Sequence, residues 1–139
     1  MYLEHANITV SDLDATVEFY KTAFPSFKIR GGGTQPLEGG GFKRWLHFGT
    51  DETYVALSEL PLEKQPEKDY DKNGFNHIGF VVEDVNALAA RMEEKGYKHT
   101  YPRQEEKYRI REYFGDPDGN EIEFVQYLSD NWAERNAYE

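Results

Sequence analysis

Two histidines hold matching places in two halves of this chain. Leu3-Glu4-His5-Ala6-Asn7-Ile8-Thr9-Val10-Ser11-Asp12-Leu13 and Phe75-Asn76-His77-Ile78-Gly79-Phe80-Val81-Val82-Glu83-Asp84-Val85 follow one plan: a histidine opens a strand, and an acidic turn leads into a helix. Glu123 lies in the strand that closes the second half. Two neutral imidazoles and one carboxylate make up the 2-His-1-carboxylate set, which holds a divalent metal and leaves coordination positions open. Those donors suit Fe, Mn, Ni, Co or Zn alike, so the cofactor is a divalent cation of open identity. Glu121 stands two residues from Glu123 and points to the same face of a strand, so periodicity does not choose between the two carboxylates.

The elements that must position these groups are legible from pattern. Leu3 to Val10 alternates as a strand, with His5, Asn7 and Thr9 on one face and Ala6, Ile8 and Val10 on the other. Ser11 or Asp12 offers an N-cap, and Leu13, Val17, Tyr20 and Phe24 follow at helical spacing until Pro25. Phe27 to Arg30, Phe42 to Phe48 and Tyr54 to Ser58 read as strands, giving a β-α-β-β-β unit. The second half repeats the order: a strand over Asn76 to Val82, and a helix capped by Asp84 with Val85, Leu88, Ala89 and Met92 on one stripe and Gly96 as its stop. Strands follow around Lys98 to Tyr101, Arg109 to Phe114 and Glu121 to Tyr127. Aligning the turns after Phe48-Gly49 and Phe114-Gly115 puts Ala56 where Glu123 stands, and His47 where Tyr113 stands.

Composition narrows the partners. A chain of 139 residues, 38% apolar and 15% aromatic, has the material for one domain and too little for two ordinary ones. The expected layout is module 1 at about 1–60, a polar linker at about 61–74, module 2 at about 75–128 and a tail at 129–139. A formal charge of -10 without a Lys/Arg run argues against nucleic acid and anionic membrane as partners and leaves a small-molecule substrate. There is no cysteine, which excludes disulfides, thiolate catalysis and Cys-based zinc sites. With no basic-then-apolar leader after Met1 and no membrane-length run, a cytoplasmic location is expected.

The run Phe114-Gly115-Asp116-Pro117-Asp118-Gly119-Asn120-Glu121-Ile122-Glu123-Phe124, with the paired histidine strands, resembles the vicinal oxygen chelate superfamily, which includes glyoxalase I, extradiol dioxygenases, fosfomycin-modifying transferases and bleomycin-binding proteins. The resemblance covers His5 to Phe124. It implies an α+β fold in which two β-α-β-β-β modules pair into a curved, cup-shaped mixed sheet with helices outside. His5, His77 and Glu123 match the family's metal-ligand positions one by one. Glyoxalase I places a second metal-associated glutamate at the position of Ala56, and a methyl group neither ligates nor accepts a proton, so orthodox glyoxalase I activity is not expected. Extradiol dioxygenases and fosfomycin-modifying transferases use two histidines and one glutamate, and Tyr113 resembles the active-site tyrosine of both groups.

The reading that follows is a metal-dependent enzyme acting on a small substrate with vicinal oxygens, with extradiol-type ring cleavage ahead of isomerisation and group transfer. A non-catalytic, antibiotic-type binding protein and a fosfomycin-type transferase are the alternatives. Tyr113 and His47 are the catalytic candidates, the first as a donor to a reacting oxygen and the second as a base or supporting donor. Asn7, Trp45, Arg111 and Glu121 are the candidate substrate-binding residues. Arg30, Arg44 and Arg103 read as solvated charges. Gly31 to Gly41, with two glycine triplets, reads as a flexible hairpin loop or a lid. The tail, carrying Trp132 and Tyr138, reads as a short docked helix or an arm across a partner, and a homodimer is expected, in which one site takes its ligands from one chain or from two.

Overall fold

The computed structural model describes residues 1–60, 70 and 73–138, so most of the expected linker at 61–74 lies outside the described residues. The chain divides into two compact units, Met1–Pro66 and Glu67–Glu139. Unit 1 runs β1 (His5–Val10), α1 (Leu13–Ala23), β2 (Lys28–Pro36), β3 (Phe42–Gly49) and β4 (Tyr54–Glu59). Unit 2 runs β5 (His77–Val81), α2 (Val85–Glu94), β6 (His99–Glu106), β7 (Arg109–Gly115), β8 (Glu121–Tyr127) and the short α3 (Trp132–Arg135). Each unit holds one four-stranded mixed sheet, ordered β1-β4-β3-β2 and β5-β8-β7-β6. The first and last long strands of each unit lie side by side and parallel, and the other pairs are antiparallel. This is the expected α+β class with its repeated β-α-β-β-β order.

Both helices begin on an aspartate. Asp12 accepts a hydrogen bond from the Ala15 amide, and Asp84 accepts one from that of Ala87, satisfying donors that the first turn leaves orphaned. Thus Asp12, rather than Ser11, is the cap of α1. The second helix ends in a Schellman arrangement: Gly96 takes φ 82°, the Tyr97 amide donates to the Met92 carbonyl, and the Gly96 amide donates to that of Glu93. Leu13, Phe19, Tyr20 and Ala23 bury the apolar stripe of α1, and Val85, Leu88, Ala89 and Met92 bury that of α2. The sheet faces they meet carry Val55, Leu57 and Phe48 in unit 1 and Ile122, Phe124 and Phe114 in unit 2, each at most 3% exposed. Fully burying a side chain of this kind contributes about 1.5–3 kcal/mol, so these two cores hold each sheet to its helix and leave the opposite face for chemistry.

Two expectations need correction. Gly31, Gly32 and Gly33 do not belong to a loop: they lie inside β2 and pair with His47, Leu46 and Trp45, leaving only Leu37 to Gly41 as the connection to β3. A run of glycines looks like a linker by composition, but the backbone still offers a full ladder of hydrogen-bonding groups to a neighbouring strand. Similarly, β6 reaches Glu106, beyond the Tyr101 end expected from its apolar residues, with register shifts absorbing the irregularity near Pro102.

Candidate functional site

Strand register decides which side chains share the free face of each sheet. In unit 2, His77 is paired with Glu121 and Gly79 with Glu123 between β5 and β8, and Glu123 is paired with Tyr113 on β7. Cross-strand partners point to one face, so His77, Glu121, Glu123 and Tyr113 converge there. The turn that sets this register is the Asp116 to Asn120 segment. The Asp116 carboxylate accepts hydrogen bonds from the amides of Asp118 and Asn120 and from Asn120 Nδ2, while Gly119 takes φ 79°. Burial pushes the Asp116 carboxyl above its ordinary value despite those donors.

The resulting cluster is acidic and ordered. His77 Nε2 lies 3.0 Å from Glu123 Oε2, and His77 Nδ1 lies 3.9 Å from Glu121 Oε1. Gly79, opposite Glu123, contributes no side chain, and a Cβ there would still stand 3.9 Å from Glu123 Oε2. Tyr70 donates its hydroxyl hydrogen to Glu121 Oε1, and its oxygen lies 3.4 Å from His77 Nδ1. That hydrogen bond to the carboxylate, with burial second, raises the Tyr70 phenol to about 12. Tyr113 is 5% exposed, and burial first, then the charge of Glu123, pushes its phenol up as well. Its ring stands edge-on to His77 at 6.3 Å and to Tyr101 at 5.4 Å.

Unit 1 carries the same frame with different contents. His5 is paired with Tyr54 and Asn7 with Ala56 between β1 and β4, and Ala56 is paired with His47 on β3. Ala56 therefore occupies the register position that Glu123 holds in unit 2, as the turn alignment predicts. Instead of carboxylates, the face shows a stack: the Tyr54 ring lies 4.8 Å from His5 and 4.6 Å from His47, and His47 lies 5.2 Å from Trp45. His5 is exposed, and its Nδ1 meets Glu4 Oε2 at 2.9 Å. Asn7 is exposed on the same face, in line with the alternation of β1.

The arginines are placed less as expected. Arg111 is an ion-pair partner of Glu106, whose carboxyl, against the cost of burial, is held below its ordinary value by Arg109 and Arg111. Arg44 bridges Glu59 and Asp14, and Arg103 bridges Glu112, Glu105 and Asn86, so neither is merely solvated. The tail does form a short helix, and Arg109 is covered by it, bonding the Ala137 carbonyl at 3.0 Å and facing the Tyr138 ring. Sequence reasoning passed over Tyr70, which sits in the linker and has no periodic signal. It also passed over Tyr54, which the repeat does reveal, because Tyr54 opens β4 where Glu121 opens β8.

Unit 2 carries an imidazole and carboxylates, the donor types that hold divalent cations. His77 Nε2 and Glu123 Oε2 lie 3.0 Å apart and pair with each other directly. Among the described residues, no three His, Asp or Glu side chains stand together as a group that could hold a metal ion.

Known proteins agree with this frame. Residues 2–124 match the family model of the Glyoxalase/Bleomycin resistance protein/Dioxygenase superfamily. A probable lactoylglutathione lyase from Synechocystis sp. is 31% identical over 133 residues, covering 93% of this chain and 98% of that protein. Among solved structures, a glyoxylase/bleomycin resistance protein/dioxygenase domain from Frankia sp. EAN1pec aligns with a TM-score of 0.74 at 22% identity, covering 94% of this chain and 95% of the other. The fosfomycin resistance protein FosX from Mesorhizobium loti aligns with a TM-score of 0.71 at 23% identity over 99% of this chain and 98% of its own. At these identities the two structures speak for the fold alone. No helix among the described residues is long and apolar enough to cross a membrane.

Proposed function

This chain belongs to the Glyoxalase/Bleomycin resistance protein/Dioxygenase superfamily, and on that premise we propose that it is a divalent-metal enzyme acting on a small substrate with two adjacent oxygens. His77 and Glu123 are two of the metal ligands. His5 is the third, contributed by the first unit of the same chain or of a second copy in a homodimer. The observation that carries this reading is the 3.0 Å approach of His77 Nε2 to Glu123 Oε2 on a face that Gly79 keeps clear.

A divalent ion held there supplies Lewis-acid stabilisation of negative charge on the substrate oxygens. The chain's own groups do the rest. Tyr113 keeps its proton at neutral pH, because burial and Glu123 disfavour the phenolate, and so donates a hydrogen bond to a substrate oxygen as charge develops there. Tyr70 holds Glu121 in place beside His77, a supporting contact of the kind that orients a ligand imidazole. His47, on the aromatic face of unit 1, serves as a base or as a supporting donor. Asn7 and Trp45 line the substrate's approach from unit 1. Arg111, tied to Glu106, sets the local field rather than gripping an anion on its own.

Ala56 directs the choice of reaction. A methyl at the register position of Glu123 removes a second proton-accepting carboxylate, and this favours ring cleavage of a catechol-type substrate over isomerisation. Lactoylglutathione lyase activity is the second reading, supported by the end-to-end likeness to the Synechocystis protein. Oxygen uptake with a catechol panel under Fe(II), run beside an assay for lactoylglutathione formation, separates them. Fe(II)-dependent uptake supports ring cleavage, and lactoylglutathione formation without uptake supports the second reading. Tight binding of a small molecule by metal-free protein, with neither activity, overturns the enzyme and leaves a sequestering protein.

A further inference from the structure

We propose that the His47-bearing face of the unit 1 sheet is a shelf for a planar aromatic carboxylate, an assignment that rests on reading this face as the substrate side and names the substrate class. The first observation is the glycines of β2. Gly31 is paired with His47 and Gly33 with Trp45, so both present to this face. A Cβ at Gly31 would meet nothing within 4 Å, and one at Gly33 would touch only the Trp45 indole, from 3.5 Å. Neither glycine has a positive φ. Gly32, on the other face, is different: its Cβ would lie 2.8 Å from the Trp45 carbonyl, so packing demands glycine there.

Packing and backbone conformation therefore do not call for glycine at 33, where glycine inside a strand costs roughly 0.5–1 kcal/mol relative to alanine, while Gly31 adjoins the register shift after Ile29. A strand glycine marks a bulge or a place where another group approaches the backbone closely, and Gly33, clear of the register shift, is of the second kind. The second observation is what borders the bare strip. Trp45 and His47 are half-buried and continue into the Tyr54 ring, giving aromatic surface against which a planar ring stacks. The third is charge. Arg30 is exposed at the β2 register shift, with its guanidinium 4.1 Å from the Tyr54 ring centroid, and no described carboxylate lies within ion-pair distance of it. Asp51, whose carboxylate feels the charge of Arg30, is taken by Lys28 at 2.7 Å. Arg44, Arg103, Arg109, Arg111 and Arg135 all meet carboxylates, whereas Arg30 stands beside the aromatic wall, placed to receive an anion.

The test uses the full chain as purified, with 2-naphthoate, cyclohexanecarboxylate and 2-naphthol as probes, followed by amide and indole NMR shifts. The expected result is that 2-naphthoate shifts the Trp45 indole and the Gly31 and Gly33 amides and binds about tenfold or more tightly than cyclohexanecarboxylate. Arg30→Gln weakens 2-naphthoate and leaves 2-naphthol unchanged. Gly31→Val, which fits the open space and suits a strand, weakens both aromatic probes while thermal unfolding stays that of the wild type. Equal binding of cyclohexanecarboxylate, or indifference of 2-naphthoate to Gly31→Val, overturns the shelf. So does a shift of the same signals with protein concentration alone, which assigns the face to a second copy. Aromatic discrimination in protein that retains no metal keeps the shelf and removes the metal enzyme; metal retention without discrimination does the reverse.

Discussion

The two units share a frame and differ on one face. Strand register puts His5 in correspondence with His77, Asn7 with Gly79, Tyr54 with Glu121, Ala56 with Glu123 and His47 with Tyr113. On the helix side the contents match in kind, with small and large apolar groups closing each core. On the free side unit 2 gathers two carboxylates and two phenols around its histidine, whereas unit 1 stacks its two histidines on Tyr54, with Trp45 tilted against His47. The difference shows how a duplicated fold divides its labour: one face is constrained by burial in both copies, so the other is free to become an acidic donor set in one and an aromatic surface in the other.

The comparison breaks most sharply at its central pair. Glu123→Ala should lower kcat/KM about a thousandfold, more than the 10–100-fold typical when only a supporting partner of a ligand is lost. Ala56→Gly, at the matching position, should cost roughly 0.5–1 kcal/mol of stability and leave kcat/KM within about twofold. Equal losses in the two variants would mean that the carboxylate has no special place. Next comes Tyr113→Phe, expected to lower kcat about a hundredfold by removing a donor to developing charge, with KM little changed. Tyr70→Phe should weaken metal binding by about tenfold through the loosened Glu121, measured by competition with a chelator.

The smallest effect concerns acid stability. The Glu59 carboxyl is lowered by its hydrogen bond from Arg44, against burial and with help from the Leu13 amide. A folded value below the unfolded one gives stability that is fully present above the ordinary carboxylate range and is lost as pH falls through the lowered value. Asp116 in unit 2 is raised, so its contribution has the opposite sign: stability falls as pH climbs from the ordinary value through the raised one. Denaturant unfolding from about pH 3 to 7 should therefore show a shallower acid limb for Glu59→Gln than for the wild type. An unchanged slope would remove Glu59 from the account.

Much of this was legible in the chain. The repeat, the Asp84 cap, a cap of the first helix at Ser11 or Asp12 and the correspondence of Ala56 with Glu123 follow from alternation and from turns that demand particular residues, such as the Asp116 to Asn120 segment. What was hidden has a common cause. The glycine triplet in β2 looked like a loop because glycine carries no side-chain periodicity, although its backbone pairs fully. Tyr70 acts through a contact to Glu121, far away in sequence, and Glu106 through a pairing with Arg111 across the β6–β7 turn, neither of which alternation encodes.

The central claim is that the His77–Glu123 pair belongs to a metal site completed by His5. Plasma mass spectrometry on protein dialysed against Fe(II), Mn(II), Ni(II), Co(II) or Zn(II), for the wild type and for His5→Ala, His77→Ala and Glu123→Ala, measures it directly. The account predicts near-stoichiometric metal in the wild type for at least one of these ions and its loss in each variant. A wild type that stays metal-free, or variants that keep the wild-type content, would contradict it.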